Sequence, residues 1–423
     1  MSADSLERAF RDERGPVLAT ITRRLDGNLA LAEDVVQDAF VAAAVEWDRG
    51  GVPERPGAWL TTTAWRKALD RLRHEKVAAE YAPQLVHDDV GYDEFDFDAS
   101  SLEDDQLRML FTCCHPALPP EARMALTLRS VAGLSVAEIA RAFLSTDSAM
   151  ERRLTRARNK ITAARIPFRV PSDDLLVERL AGVLRVIYLV FNEGHAATRA
   201  DLRAEAIRLA RLLVRLMPDE AEVHGLLALL LLTDARSPAR VAGDALVSLA
   251  DQDRSLWDAA AIDEGAAVLD RALRLRRPGF YSIQAAIAAL HSRAASFAAT
   301  DWAQIAGLYG ELSRHDPSPV VAVNRAVAIG FAEGPAAGLA ALPDDPRLER
   351  YQPLHAARAE LLRRAGDVAG ADAALQAAIE LSASEAERSA LRRLGSAAAH
   401  SAPASENPDA TSSARSNPSA NDA

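Results

Sequence analysis

Apolar residues recur at i, i+3, i+4 and i+7 through most windows of this 423-residue chain, and runs of alternating β-branched residues are missing. A chain patterned this way buries its apolar surface by packing helical stripes together, so the expected fold class is all-α. The longest apolar run, GLLALLLL at 225–232, is far shorter than the roughly 18–20 residues of a membrane span and reads as a buried helix. The opening MSADSLERAFRDERG is charged and lacks the apolar core of a signal peptide. Two cysteines in a chain this long make no disulfide framework. A cytoplasmic location with no membrane partner is expected.

Composition divides the chain. Residues 1–76 are helical, with a Gly/Pro-rich loop, DRGGVPERPG, at 48–57. Residues 77–104 are acidic and weakly periodic and read as a flexible linker. Residues 105–168 form a compact helical unit, followed by the Pro-flanked joint RIPFRVPSDD. Residues 175–395 carry long Ala/Leu/Arg helices, and 396–423, without a large apolar residue, are expected to be disordered. Within the long helical region NRAVAIGFAEGPAAGLAAL (324–342) aligns with ARAELLRRAGDVAGADAAL (357–375). That spacing is close to the roughly 34-residue period of tetratricopeptide helix pairs, so a helical-repeat architecture is expected.

The most informative stretch is GLSVAEIARAFLSTDSAMERRLTRARNKI (133–161). Ser135 with Glu138 makes a capping box, and Ile139, Ala140 and Phe143 supply a buried face. After a short turn Thr146 or Asp147 caps a second helix, with Met150, Leu154, Ala157 and Ile161 facing inward. Its other face presents Ser148, Arg152, Arg153, Arg156 and Arg158. That is a helix–turn–helix whose second helix is equipped for the DNA major groove, with arginines able to bond guanine edges or grip phosphates. The net charge of −11 argues against non-specific coating of nucleic acid; the basic residues are local to this helix.

In this order the stretches resemble bacterial sigma factors of the extracytoplasmic-function group. AEDVVQDAF (32–40) is similar to the region 2.2 helix, PGAWLTTTAWRKALDRLRHE (56–75) to the helix that opens and reads the −10 element, and 118–161 to region 4, which reads the −35 element. EWDRGGVPERPGAWL (46–60), FTCCHPALPPEAR (111–123) and VIYLVFNEGHAA (186–197) resemble the subgroup with a C-terminal tetratricopeptide-like extension. The resemblance implies two small sigma domains, a linker and a helical regulatory domain. It implies core RNA polymerase as a partner, through the β′ clamp and the β flap, together with promoter DNA. An unknown partner or ligand is implied for the extension.

The resemblance also assigns roles. Thr146, Ser148, Arg152, Arg153, Arg156 and Arg158 would read or grip the −35 element. Asp34, Gln37 and Asp38, on one helical face at i, i+3 and i+4, would meet the basic clamp helices. Trp47, in the loop placed to hold a flipped base, with Arg66, Lys67, Arg71 and Arg73, would act at the −10 region. Trp65 is either a stacking surface or a core residue; Trp59 reads as core.

Two local patterns stay open. FTCCHPAL (111–118) reads as packing, with Leu107, Leu110, Phe111 and Cys114 at helical core spacing; a redox pair or a metal site is the alternative. Asn192, Glu193 and His195 sit at an expected helix end beside Gly194, either as a C-cap or as a polar regulatory site. No nucleophile, metal cluster or phosphate loop accompanies them, so neither catalysis nor a cofactor is expected. The competing readings are a stand-alone helix–turn–helix regulator with a ligand- or peptide-sensing repeat domain, and a repeat scaffold.

Overall fold

The computed structural model describes residues 3–74, 99–143, 145–196, 199–242, 245–382 and 385–400. Most of the expected linker and of the expected tail therefore lies outside the described residues. All described regular structure is helical except one antiparallel ladder of two short strands, β1 (Val241–Ala242) and β2 (Ala245–Leu246). The chain separates into two compact units, residues 1–238 with 253–317, and residues 239–252 with 318–423.

The first unit opens with α1 (Ala3–Arg24), α2 (Leu29–Gly50) and α3 (Pro56–His74). The Asn28 side chain accepts from the Leu31 amide to start α2, and Gly51, at φ 83°, ends it. Val35, Val36, Ala39, Phe40 and Ala43 of α2 are buried with Leu60, Ala64 and Ala68 of α3. Then come α4 (Ala99–Cys113), α5 (Pro120–Ser130), α6 (Val136–Ala142) and α7 (Asp147–Ala163). Helix α4 starts inside the stretch read as linker.

The expected capping box is present: Glu138 N donates to Ser135 Oγ at 3.2 Å, and Ser135 N to Glu138 Oε2 at 2.7 Å. Thr146, not Asp147, caps α7 by accepting from the Ala149 amide. Met150, Leu154, Ala157 and Ile161 are all buried.

Six more helices complete the first unit: α8 (Asp173–Ala196), α9 (Ala200–Leu216), α10 (Ala221–Asp234), α11 (Ala259–Arg274), α12 (Phe280–Arg293) and α13 (Trp302–His315). Helix α10 carries GLLALLLL and is buried all round. It crosses α12 at Gly225, where an added Cβ would come within 2.5 Å of Ser282 Oγ. One continuous apolar core runs from Val17 of α1 through α4–α10 to Ala289 of α12. The compact units thus do not follow the segments read from composition: α8–α12 share the apolar core of the first seven helices, and α13 packs on α12.

The second unit comprises the ladder, α14 (Pro319–Ala332), α15 (Pro335–Ala341), α16 (Gln352–Arg364), α17 (Val368–Leu381) and α18 (Glu385–His400). The two aligned sequence stretches fall on successive helix pairs, α14–α15 and α16–α17, with Ala326 and Ala359 both buried on the first helix of each pair. Glycine is needed where α14 and α15 meet: a Cβ on Gly338 would lie 2.6 Å from Gly330 Cα.

Candidate nucleic-acid interface

The outer face of α7 is built by the period of the helix. With Met150, Leu154, Ala157 and Ile161 committed to the core, Ser148, Arg152, Thr155, Arg156 and Asn159 are left exposed. Thr146 is exposed at the cap, its hydroxyl 3.4 Å from that of Ser148. Arg152 and Arg156 stand one turn apart on this open face. The remaining two predicted arginines are held elsewhere. Arg153 pairs with Glu121 of α5 at 3.0 Å. Arg158 pairs at 2.5 Å with Glu33 of α2, whose side chain is only 8% exposed. The six residues read from the sequence as one face are therefore divided between an open surface and two ion pairs.

The region around α2 and α3 departs further from the expectation. Trp47 is buried at 2% exposure and meets Trp59 edge to face, ring centroids 5.4 Å apart. In this state Trp47 belongs to the core rather than to a base-holding surface, because it lies on the buried stripe of α2, one turn beyond Ala43. Trp65 is half-buried against the core, with the Arg24 guanidinium 5.4 Å from its ring centre. Arg66 and Arg73 are exposed and Lys67 is half-buried. Arg71 turns back to α2, donating to Asp34 at 3.2 Å and to Asp38 at 2.6 Å. It thus joins the acidic face formed by Asp34, Gln37 and Asp38 rather than lying free for a phosphate. Beyond these carboxylates the same face continues as the exposed Val41 and Val45.

Sequence reasoning missed Glu33. The signal was there: an acidic residue in the inward register of α2, flanked by the buried Ala32 and Val35. Glu33 also accepts from Ser130 Oγ at 3.3 Å.

Likeness to known proteins bears on this arrangement. Residues 11–77 match the family model for sigma-70 region 2, and residues 108–161 match that for sigma-70 region 4. Residues 179–273 match a family of unknown function, DUF6596. An uncharacterized protein of Rhizobium meliloti is 46% identical over 377 residues, covering 86% of this chain and 89% of that protein. The ECF RNA polymerase sigma factor SigJ of Mycobacterium tuberculosis is 31% identical over 34% of this chain and 47% of its own length. A probable ECF RNA polymerase sigma factor, SigI, of the same species is 28% identical over 42% of this chain and 61% of its own length. The chain belongs to the extracytoplasmic-function group of the sigma-70 family.

In this sigma factor α1–α3 correspond to region 2 and α4–α7 to region 4. The FTCCHPAL stretch closes α4. Cys113 and Cys114 are free thiols, both buried, and Cys114 Sγ lies 3.5 Å from Thr127 Oγ1. Burial raises both thiol pKa values, that of Cys114 to about 11. These are packing groups, not nucleophiles. At the other open pattern, Gly194 is pressed into the corner between α8 and α9. Its carbonyl accepts from the Arg199 amide at 2.6 Å, and a Cβ there would meet Leu202 Cβ at 2.8 Å. His195 stacks on Phe191 with ring centroids 5.9 Å apart, and Asn192 and Glu193 are half-buried beside it. The corner has a clear packing role. No described helix is long and apolar enough to cross a membrane.

Proposed function

We propose that this sigma factor binds core RNA polymerase and directs initiation at a two-part promoter, with its C-terminal helices modulating that activity. The observation that carries the reading is the exposed Ser148–Arg152–Arg156 face of α7. It is the exposed face of the second helix of a helix–turn–helix, in the same chain as a region 2 match. Arg152 and Arg156 engage the −35 element, and Arg66, Lys67 and Arg73 hold the −10 strand's phosphates. The exposed Asp34 and Gln37, with Val41 and Val45, meet the β′ clamp helices, and region 4 meets the β flap. The chain supplies recognition, not chemistry, which is consistent with sigma factors not being enzymes, and it works in the cytoplasm. The helix pairs of the second unit serve as a tetratricopeptide-like docking surface for a regulatory partner or ligand.

The test is competition for purified core polymerase between the full chain and the housekeeping sigma factor, followed by run-off transcription from a promoter selected with the holoenzyme. Displacement together with a specific transcript supports the reading. A chain that binds duplex DNA alone and ignores polymerase would be a stand-alone regulator.

A further inference from the structure

Region 2 and region 4 do not merely lie in one unit; they share a buried charge cluster. Glu33 comes from α2 and Arg14 from α1. Arg129 comes from α5, and Arg158 from α7. Arg14 is 4% exposed and donates to the Arg129 carbonyl. Burial and the like charge of Arg129 press against the charge of Arg14, and Glu33 opposes them. Arg129, likewise disfavoured by burial, feels Glu33 and Arg158 with opposite signs. Three guanidiniums, drawn from both regions, therefore converge on one buried carboxylate.

Two further features seat the same interface. Asp105 of α4, 1% exposed, accepts from Arg23 of α1 at 3.0 Å and from Arg108 at 2.9 Å. Gly15 of α1 faces the Val131 carbonyl so closely that an added Cβ would stand 2.7 Å from it. Helices α8 and α9 also brace region 4. Arg179 donates to the Phe111 carbonyl at 2.8 Å, and Arg208 reaches the Val131 carbonyl at 3.5 Å.

We infer that this is a closed state held by a Glu33–Arg158 latch, in which Arg158 exchanges the Glu33 carboxylate for a DNA phosphate when the protein engages its promoter. The inference rests on the reading of α7 as a −35 recognition helix. Arg158 lies on the recognition helix, and one guanidinium cannot fully serve two anions. Reading two promoter elements also requires region 2 and region 4 to sit at separate places along the duplex, one helical turn being about 34 Å. Contact at Gly15, Glu33 and Asp105 precludes that separation. Glu33 is the keystone: its charge offsets the mutual repulsion of Arg14, Arg129 and Arg158 where the two regions meet. The latch makes binding conditional, because only the open fraction is competent.

The test places spin labels on Arg49→Cys of α2 and Ala163→Cys of α7 in the full-length protein. The native thiols are buried, so the labels are specific. Pulsed dipolar distances are read without polymerase, and affinity for core polymerase is measured on the unlabelled chain. A single short distance is expected for the parent. Glu33→Gln and, independently, Gly15→Val should each populate longer distances. Gly15→Val, which leaves the charges intact, should tighten polymerase binding by about tenfold as the closed population is removed. A long or broad distribution in the parent, or variants that keep the short distance, would overturn the latch. Lengthened distances in a protein that never binds polymerase would leave the latch standing and remove the sigma reading instead.

Discussion

Arg71 of α3 donates to Asp38 of α2 at 2.6 Å, tying the helix expected to hold promoter DNA to the face expected to meet polymerase. Both groups are partly exposed, so the pair adds at most about 1 kcal/mol to stability. Arg71→Ala should leave the melting temperature nearly unchanged. Because it unmasks Asp34 and Asp38, it should steepen the salt dependence of core polymerase binding. Asp38→Ala should weaken that binding. Titrations at two salt concentrations separate the two effects.

The arginines of α7 should divide by partner. Arg152→Ala and Arg156→Ala should each cost about 1–3 kcal/mol of promoter affinity in the holoenzyme, or lower the salt slope by about 1 if the contact is to a phosphate. Arg153→Ala, whose guanidinium is engaged by Glu121, should cost far less. Equal losses at all three positions would contradict the division.

Cys113 and Cys114 should be inert in the native protein. Their thiols are buried, with pKa values pushed up, so little thiolate exists at neutral pH. An alkylating reagent should label neither until denaturant unfolds the chain, and then both. Rapid labelling of the native protein would revive the redox reading.

Helix α12 is preceded by Gly279, which has no side chain to cap it, and Glu222 of α10 caps it from outside. One carboxylate accepts from the Gly279, Tyr281 and Ser282 amides at 3.0, 2.8 and 3.1 Å, and from Ser282 Oγ at 2.7 Å. Glu222→Ala strands those donors and should destabilise the first unit by about 2–3 kcal/mol. Chemical denaturation of the full chain reads the change; a loss within about 0.5 kcal/mol would mean that water replaces the cap at no cost.

His291 should give the first unit an acid-sensitive stability. Burial, reinforced by the charges of Arg236 and Arg254, lowers its pKa to about 4 from the ordinary value near 6.5. The unfolded chain therefore takes up a proton first as pH falls. The contribution is complete above pH 6.5 and is lost as pH drops toward 4, by at most about 3 kcal/mol. His291→Phe should flatten the stability–pH curve across that window.

The helical character, the capping box at Ser135 and the inward face Met150–Leu154–Ala157–Ile161 could be read directly, because they depend on neighbours within four residues. The succession of region 2 before region 4 was legible for the same reason: each motif is local. The division of the predicted arginine face was not. Arg156 and Arg158 look alike in sequence, yet one is exposed and the other is held by Glu33, more than a hundred residues earlier. Trp47 was placed in a loop because Gly50 and Gly51 follow it, and the structure buries it against Trp59 because the helix runs on to Gly50.

The sequence by itself determined which residues form helices, which stripe of each is apolar, and which family the motifs belong to. Only the tertiary structure decided that α8–α12 share one core with the sigma regions, and that Glu33 of region 2 meets Arg158 of region 4. The physical reason is range. Helix periodicity and capping act over one or two turns, whereas a buried ion pair depends on which distant surfaces exclude water together.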